Sequence, residues 1–399
     1  MSGPVVAVFA PDAVGHFVHL RPTIAGLAAR GAAVHVFTAR RFAPQVEAAG
    51  GRFVDLFGPY PPEAADDESL PVVSRYVSFA GHYAEQIVRD VAALRPSLVV
   101  YDTFAVIGRV VAIALGLPHV NVNIGHNLSP ERYLPRLFAE REIATSERCL
   151  RAVEVLRERF GIVDASPFSY VTGLSPHLNL LSEPPEWLDE ADRAAFAPAA
   201  FFGSVLPEVP RGPSGFRGGG GLKLHVSLGT VTWWYWPEAA ISALEAVAAA
   251  VPPDADVVMS LSGGSAPPGR VGALRRAGMQ VVDYADTWSA LAEADVFVTA
   301  NGANSTHEAA FSRVPMLSYP AHGDQPELAE LCERFGIGVR LVDQPPAPLS
   351  ADVVMAGLAQ IAERRGDFAA ALERARGWEL GVIAGRGAVI DRMLALAQA

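Results

Sequence analysis

The chain has 399 residues, half of them hydrophobic, with 43 acidic against 32 basic side chains, a formal net charge of −11 and two cysteines. That apolar content excludes a disordered chain, and the acidic balance argues against nucleic acid or an anionic membrane as the main partner. Cys149 and Cys332 stand too far apart in sequence for a cysteine zinc motif and too few for a disulfide framework.

The length predicts two or three domains. No basic leader precedes the apolar run at 5–9, and the stretch 97–122 is broken by Asp102, Arg109 and Pro118. The expectation is a cytoplasmic protein without a membrane span. Short β-branched runs then alternate with Ala/Leu-rich helical patterns, which predicts parallel strands covered by helices. Strands are expected at 5–9, 33–38, 53–56, 98–101, 119–123, 178–181 and 201–203. Helices fall at 17–30, 44–49, 72–94 and 104–115, with a charged helical pattern over 131–160. Residues 57–71, rich in Pro and acids, read as a loop.

Residues 207–221 hold three prolines and six glycines. Such a segment predicts a flexible interdomain linker. After it the α/β pattern restarts, with strands at 222–227, 257–261, 281–284, 296–299 and 316–319. Helices are expected at 237–250, 305–312 and 325–335, and from about 351 to the end. Two α/β domains joined by a hinge predict a ligand cleft between them.

Four turns carry chemistry. Gly15-His16 follows the first strand and opens a helix. An imidazole there suits a general base; capping the helix is the alternative. Asp102 ends the strand at 98–101, where a carboxylate can orient that imidazole or cap the next helix. Ser227-Leu228-Gly229-Thr230 reads as a turn whose N–H groups can bind phosphate, or as a plain tight turn. The run Thr299 to Glu308 (Thr-Ala-Asn-Gly-Ala-Asn-Ser-Thr-His-Glu) enters a helix through small residues, a pattern suited to anions. Glu308 could reach ribose hydroxyls, and Asp324-Gln325 suit sugar hydroxyls, with Asp324 as an N-cap the competing reading.

Trp233-Trp234-Tyr235-Trp236 fits a cleft wall or apolar acceptor contact, a homodimer patch, or helix packing. Tyr60, Tyr76, Phe79 and Tyr83 can line an apolar pocket, with Phe104, or form core. His82, His119, His126, His177 and His225 read as structural, and His307 as helix surface or core. Asp254-Ala255-Asp256 mimics a metal motif but precedes a strand, so no metal is assigned.

Read together, these residues resemble the GT-B-fold glycosyltransferases that include the UDP-glucuronosyltransferases and the actinobacterial antibiotic and macrolide enzymes. Gly15-His16 resembles the family's catalytic turn, and Tyr101-Asp102 the strand carrying the dyad aspartate. Gly302, Asn304-Ser305, Glu308, Val314-Pro315, Pro320 and Asp324-Gln325 follow the donor signature in order and spacing. The resemblance implies two Rossmann-like domains facing each other across a cleft. Residues 1–206 would bind the acceptor, 207–221 would link, 222–375 would bind a nucleotide sugar, and 376–399 would form a helix crossing back. It implies inverting, metal-independent transfer from a UDP- or TDP-sugar, with no further cofactor, to a hydroxyl of an apolar natural product. His16 and Asp102 would be catalytic. Ser227, Gly229, Thr230, Tyr284, Thr287, Asn301, Gly302, Asn304, Ser305, Thr306, Glu308, Asp324 and Gln325 would hold the donor. Tyr76, Phe79, Phe104 and Trp233 would hold the acceptor.

Three positions depart from the family. Ala300-Asn301 replace a His-Gly pair whose histidine contacts the donor diphosphate. Tyr284-Ala285-Asp286-Thr287 replaces an aromatic-x-Pro-Gln base loop. His19 stands at a usual proline. The first two converge on nucleotide recognition and predict an atypical donor site. The rival readings are a repurposed GT-B protein with a ligand or partner role and a nucleotide-sugar epimerase. A nicotinamide dehydrogenase is a poor third, because the glycine fingerprint is missing.

Overall fold

A computed structural model describes residues 3–62, 72–125, 128–139, 147–343 and 347–398. The chain divides into two compact units, residues 1–203 with 382–399, and residues 204–381.

The first unit holds a seven-stranded sheet in the order β3-β2-β1-β4-β5-β6-β7, all pairs parallel. Its strands are β1 (Val5–Phe9), β2 (Ala33–Thr38), β3 (Arg52–Asp55), β4 (Leu98–Asp102), β5 (His119–Asn123), β6 (Leu178–Leu181) and β7 (Ala199–Phe201). A parallel sheet is covered on both faces, so its strands read as continuous apolar runs. In β1 and β4, Ala7, Phe9, Val99 and Tyr101 enter one core, while Val6, Val8, Leu98 and Val100 enter the other. The helix Val106–Ala114 lies close against β4, because a Cβ at Gly108 would come within 2.5 Å of Tyr101 Cβ.

The second unit holds six parallel strands in the order β10-β9-β8-β11-β12-β13. They are β8 (Lys223–Ser227), β9 (Asp256–Ser260), β10 (Gln280–Val282), β11 (Val296–Thr299), β12 (Met316–Ser318) and β13 (Gly338–Arg340). In each sheet the order reverses between two neighbours, β1 and β4 in one, β8 and β11 in the other. Ligand crevices of open α/β sheets form at such points, beyond the strand C-termini. All four chemical turns of the sequence lie there.

The helix Arg365–Leu396 starts in the second unit and ends in the first. Its last turns bury Ile390 and Met393 in the core under β1, and Arg386 donates to the carbonyls of Phe202 and Gly203 at 2.7 and 3.1 Å.

The structure corrects several expectations. Residues 207–221 have no regular element but are not free. Trp288 Nε1 donates to Val209 O at 3.0 Å, Gly212 N to Ser289 Oγ at 2.7 Å and Arg217 N to Asp256 Oδ2 at 2.7 Å. Proline and glycine prevent an element, yet the segment's polar groups still need partners and find them on the second unit. The expected turn at 227–230 continues as a helix, Gly229–Tyr235. The helices Pro268–Arg276 and Thr287–Ala290 and the edge strand β13 had no sequence counterpart. The loop expected over 57–71 is described only to residue 62, part of the helical pattern at 131–160 falls at 140–146, and His126 lies outside the described residues.

Among the described residues, no helix is long and apolar enough to cross a membrane. No group of three or more His, Cys, Asp or Glu among them could hold a metal ion. Asp256 accepts instead from Arg217 N, Gly218 N and Gln280 Nε2.

Candidate active site

His16 lies in the first turn of the helix Val14–Ala29, just past β1. The N-cap is Ala13, so His16 does not cap the helix. Its ring is 17% exposed, and Nδ1 stands 3.0 Å from both carboxylate oxygens of fully buried Asp102. Asp102 Oδ1 also accepts from Phe104 N at 2.8 Å. The next helix is capped by Ala105, so Asp102 closes the turn without serving as its N-cap. β1 and β4 are adjacent, with Phe9 opposite Tyr101, and that adjacency joins residues 86 positions apart. A carboxylate on Nδ1 holds the proton there and leaves Nε2 as the basic nitrogen.

Beside this pair is a shallow pocket lined by Ala10, Pro11, Leu56, Tyr76, Phe79 and Phe104, among others. The Phe104 ring lies 4.1 Å from the His16 ring and 6.3 Å from that of Tyr76. Burial pushes the Tyr76 phenol up to about 12; Asp12 and Asp102 act in the same direction and Arg75 opposes them. Trp233 is elsewhere. It is 3% exposed in the core of the second unit, where a Cβ at Gly264 would come within 2.4 Å of its ring. The expectation that Trp233 touches the acceptor is therefore corrected; its neighbours Trp234 and Tyr235 are the exposed members of that run.

In the second unit Ser227 and Thr299 are opposite each other at the ends of β8 and β11. Ser227 Oγ is buried against Ser262 Oγ at 3.1 Å. Gly229, at φ +70, and Thr230 are exposed at the start of their helix, and nothing within 4 Å crowds a Cβ at Gly229. Gly302 caps the helix Ala303–Ser312, with Gly302, Asn304 and Ser305 partly exposed. The first-turn N–H groups of 303–305 stand outside the helical ladder, the geometry that attracts an anion.

Three donor-site expectations change. Asn301 has a left-handed φ of +61 and a fully buried side chain. Its Nδ2 lies 3.5 Å from Thr306 Oγ1 and 3.5 Å from Cys332 Sγ, so it faces the core and not a diphosphate. Asparagine is among the few residues that tolerate that φ. Thr306 is also fully buried, and its N–H donates to Gly302 O at 3.0 Å as a rung of the helix. Gln325 Oε1 accepts from Ala321 N and His322 N at 2.8 and 3.1 Å, so it staples the loop before Asp324. Asp324 is at the N-cap position but makes no side-chain cap bond. Ala300, only 2% exposed, belongs to the core.

Tyr284 is 69% exposed, and Thr287 begins the short helix Thr287–Ala290. Glu308 is partly buried, and its carboxyl is pushed up to about 8 by burial, with Asp286 adding to the rise and Arg211 and His307 opposing it. Three groups here escaped the sequence reading. Arg211, from the segment 207–221, lies 3.9 Å over the Trp288 ring and donates to Ser312 Oγ at 3.0 Å. Asp286 was visible only as a missing proline. His322, 5.4 Å from the Trp236 ring, is recognisable only once the helix Gly229–Tyr235 brings the aromatics to it.

No family model matches the sequence. Among characterised proteins, the zeaxanthin glucosyltransferase of Pantoea ananas is 27% identical over 272 residues, spanning 61% of this chain and 59% of that protein's length. Solved structures superpose over almost the whole chain. The glycosyltransferase of kitacinnamycin matches at TM-score 0.80 and 23% identity, covering 98% of this chain and 99% of its own. The calicheamicin glycosyltransferase matches at 0.74 and 20%, covering 99% of each. A spinosyn rhamnosyltransferase complexed with thymidine diphosphate matches at 0.64 and 20%, covering 97% and 99%. The chain has the GT-B fold, two Rossmann-like α/β units, in the form those natural-product glycosyltransferases share.

Proposed function

We propose that the protein is an inverting, metal-independent glycosyltransferase that moves a sugar from a nucleoside-diphosphate sugar to a hydroxyl of an apolar natural product. The observation that carries this reading is the His16–Asp102 pair at the point where the first sheet reverses its strand order, beside an apolar pocket. The relatives and neighbours, named as glycosyltransferases, support it.

His16 Nε2 takes the acceptor's proton, while Asp102 holds Nδ1–H and offsets the imidazolium charge that forms. The acceptor oxygen attacks the anomeric carbon and the diphosphate departs on the opposite side. The leaving charge meets the N–H groups of 303–305 and of the turn at Gly229-Thr230. Tyr284 stacks on the base, Glu308 contacts the ribose and Asp324 contacts the sugar. Asn301 and Thr306 contribute by shaping the turn from within.

Binding of UDP, TDP, GDP and ADP by calorimetry tests the proposal. Saturable binding of one nucleotide, with transfer of its sugar to an added acceptor, is the expected result. A folded protein that binds none of the four would overturn it. The buried Ala300 and inward Asn301 favour a second reading, a GT-B protein repurposed to bind another ligand, and that result would favour it in turn.

A further inference from the structure

Four consecutive residues at the end of β4 each hold something different. Tyr101 Oη donates to Gly173 O at 2.8 Å, Asp102 accepts from His16 Nδ1, and Thr103 Oγ1 donates to Tyr170 O. Phe104 completes the set. Its backbone N–H donates to Asp102 Oδ1 at 2.8 Å, and its ring centroid lies 4.1 Å from that of His16 at an interplanar angle of 32°. At that distance two flat rings are in contact through their faces. Behind Phe104 stands Tyr170, in the short helix Ser169–Thr172, whose ring meets it edge-on at 5.4 Å and 84°. Tyr101 and Thr103 therefore pin the segment that backs Phe104, and Phe104 backs His16.

We infer that Phe104 is a positioning residue for His16: its ring fixes the plane of the imidazole and thereby the direction of Nε2. The inference rests on the transferase reading only for the task of Nε2, removal of the acceptor's proton. Asp102 alone does not fix that plane. Its two oxygens are equally distant from Nδ1, at 3.0 Å each, and a hydrogen bond tolerates tens of degrees of tilt. Proton transfer is less tolerant, because Nε2 must stay within hydrogen-bond reach of the reacting hydroxyl and aligned with it. A ring packed on the imidazole face removes the tilt. A ring face at this distance also attracts a cation, so the contact persists when the imidazolium forms. A residue that only filled core or touched the acceptor would have no hold on the imidazole in the free protein.

The test is NMR of the full chain with nitrogen-labelled histidine and no ligand added. The signal is the Nδ1–H of His16, identified by its absence in His16→Gln. The wild type should show it, slowed in exchange with water by the bond to Asp102. Phe104→Leu should exchange it about tenfold faster, the opening expected when one aromatic contact is lost. Phe104→Tyr keeps the ring and should restore the wild-type rate. Both variants keep the backbone N–H on Asp102, so only the ring is tested. The ring proton of His225, beside Val258 O in the second unit, is the reference and should not change. An unchanged rate in Phe104→Leu, an equal loss in Phe104→Tyr, a parallel change at His225, or no His16 signal in the wild type would overturn the inference. If Phe104→Leu does not fold, Phe104→Met takes its place with the same expected result; if neither folds, Phe104 serves core packing and the inference fails. The nucleotide calorimetry is independent. Nucleotide binding with an unchanged exchange rate sinks this inference alone, and the expected rates without nucleotide binding sink the transferase reading alone.

Discussion

Asp102 holds His16 and the backbone at once: both its oxygens lie 3.0 Å from His16 Nδ1, and Oδ1 also accepts from Phe104 N at 2.8 Å. The backbone N–H fixes the carboxylate's rotation, so the carboxylate in turn fixes the imidazole. His16→Ala should lower kcat by about 10²–10⁴, the usual loss for a general base, with the fold intact by circular dichroism. Asp102→Asn makes a sharper test. The backbone N–H would claim the amide oxygen, turning the amide NH2 toward Nδ1. Nδ1 would then have to accept, and Nε2 would carry the proton. Nitrogen NMR should show that tautomer exchange together with lost turnover; an active Asp102→Asn variant would sink the base assignment.

Much of this arrangement is written in residue patterns, and some is not. β-branched runs place the inner strands, because a strand buried on both faces must be apolar throughout. The His16–Asp102 pair is legible for the same reason, since both residues stand where those strands end. What a pattern does not reveal is the direction of a side chain in a turn. Asn301 and Thr306 stand in a donor-like run, yet the left-handed φ at Asn301 turns its amide to Cys332 and leaves Thr306 in the helix ladder. Gln325 looks like a sugar ligand, but its oxygen serves two backbone N–H groups four and three residues earlier. Trp233 and Trp234 are adjacent and alike in sequence, and helix rotation alone buries one and exposes the other. β13 is three residues of Gly-Val-Arg, too short for any period to register.

Glu308 should make stability fall as pH rises. Its folded carboxyl titrates at about 8 against an ordinary 4.5. Below the lower value both folded and unfolded chains are protonated and the group has no effect. Between the two values the unfolded chain ionises first and is favoured, and above the higher one the penalty is complete. Glu308→Gln removes it. The variant should gain on the order of a few kcal/mol over wild type at pH 8.5 and almost nothing at pH 4. Urea denaturation at both pH values checks this, and an equal difference at the two would refute it.

Asn301 should resist replacement by alanine more than by glycine. At φ +61 a non-glycine Cβ crowds the following carbonyl, a strain of roughly 1–2 kcal/mol that asparagine partly relieves through its own polar contacts. Asn301→Ala keeps the Cβ and loses the amide, so it should destabilise by about 1–2 kcal/mol. Asn301→Gly loses the same contacts but also the strain, so it should cost less. Melting temperatures in the reverse order would show that side-chain packing, and not the backbone, governs this turn.

His307 precedes Glu308 on the helix Ala303–Ser312, and its Nδ1 lies 2.6 Å from Glu379 Oε1, with both side chains fully buried. The pair ties the helix Ala303–Ser312 to the helix Arg365–Leu396. Buried ionisable pairs offset their own desolvation poorly, but losing one partner strands the other. Glu379→Leu and His307→Leu alone should therefore each cost about 3–5 kcal/mol, while the two together should be near neutral or stabilising. The sign of that non-additivity is the measurement, read from urea midpoints of the two singles and the double. If the two single costs simply add in the double variant, the residues are not a coupled pair, and the helix Ala303–Ser312 is held by its apolar contacts alone.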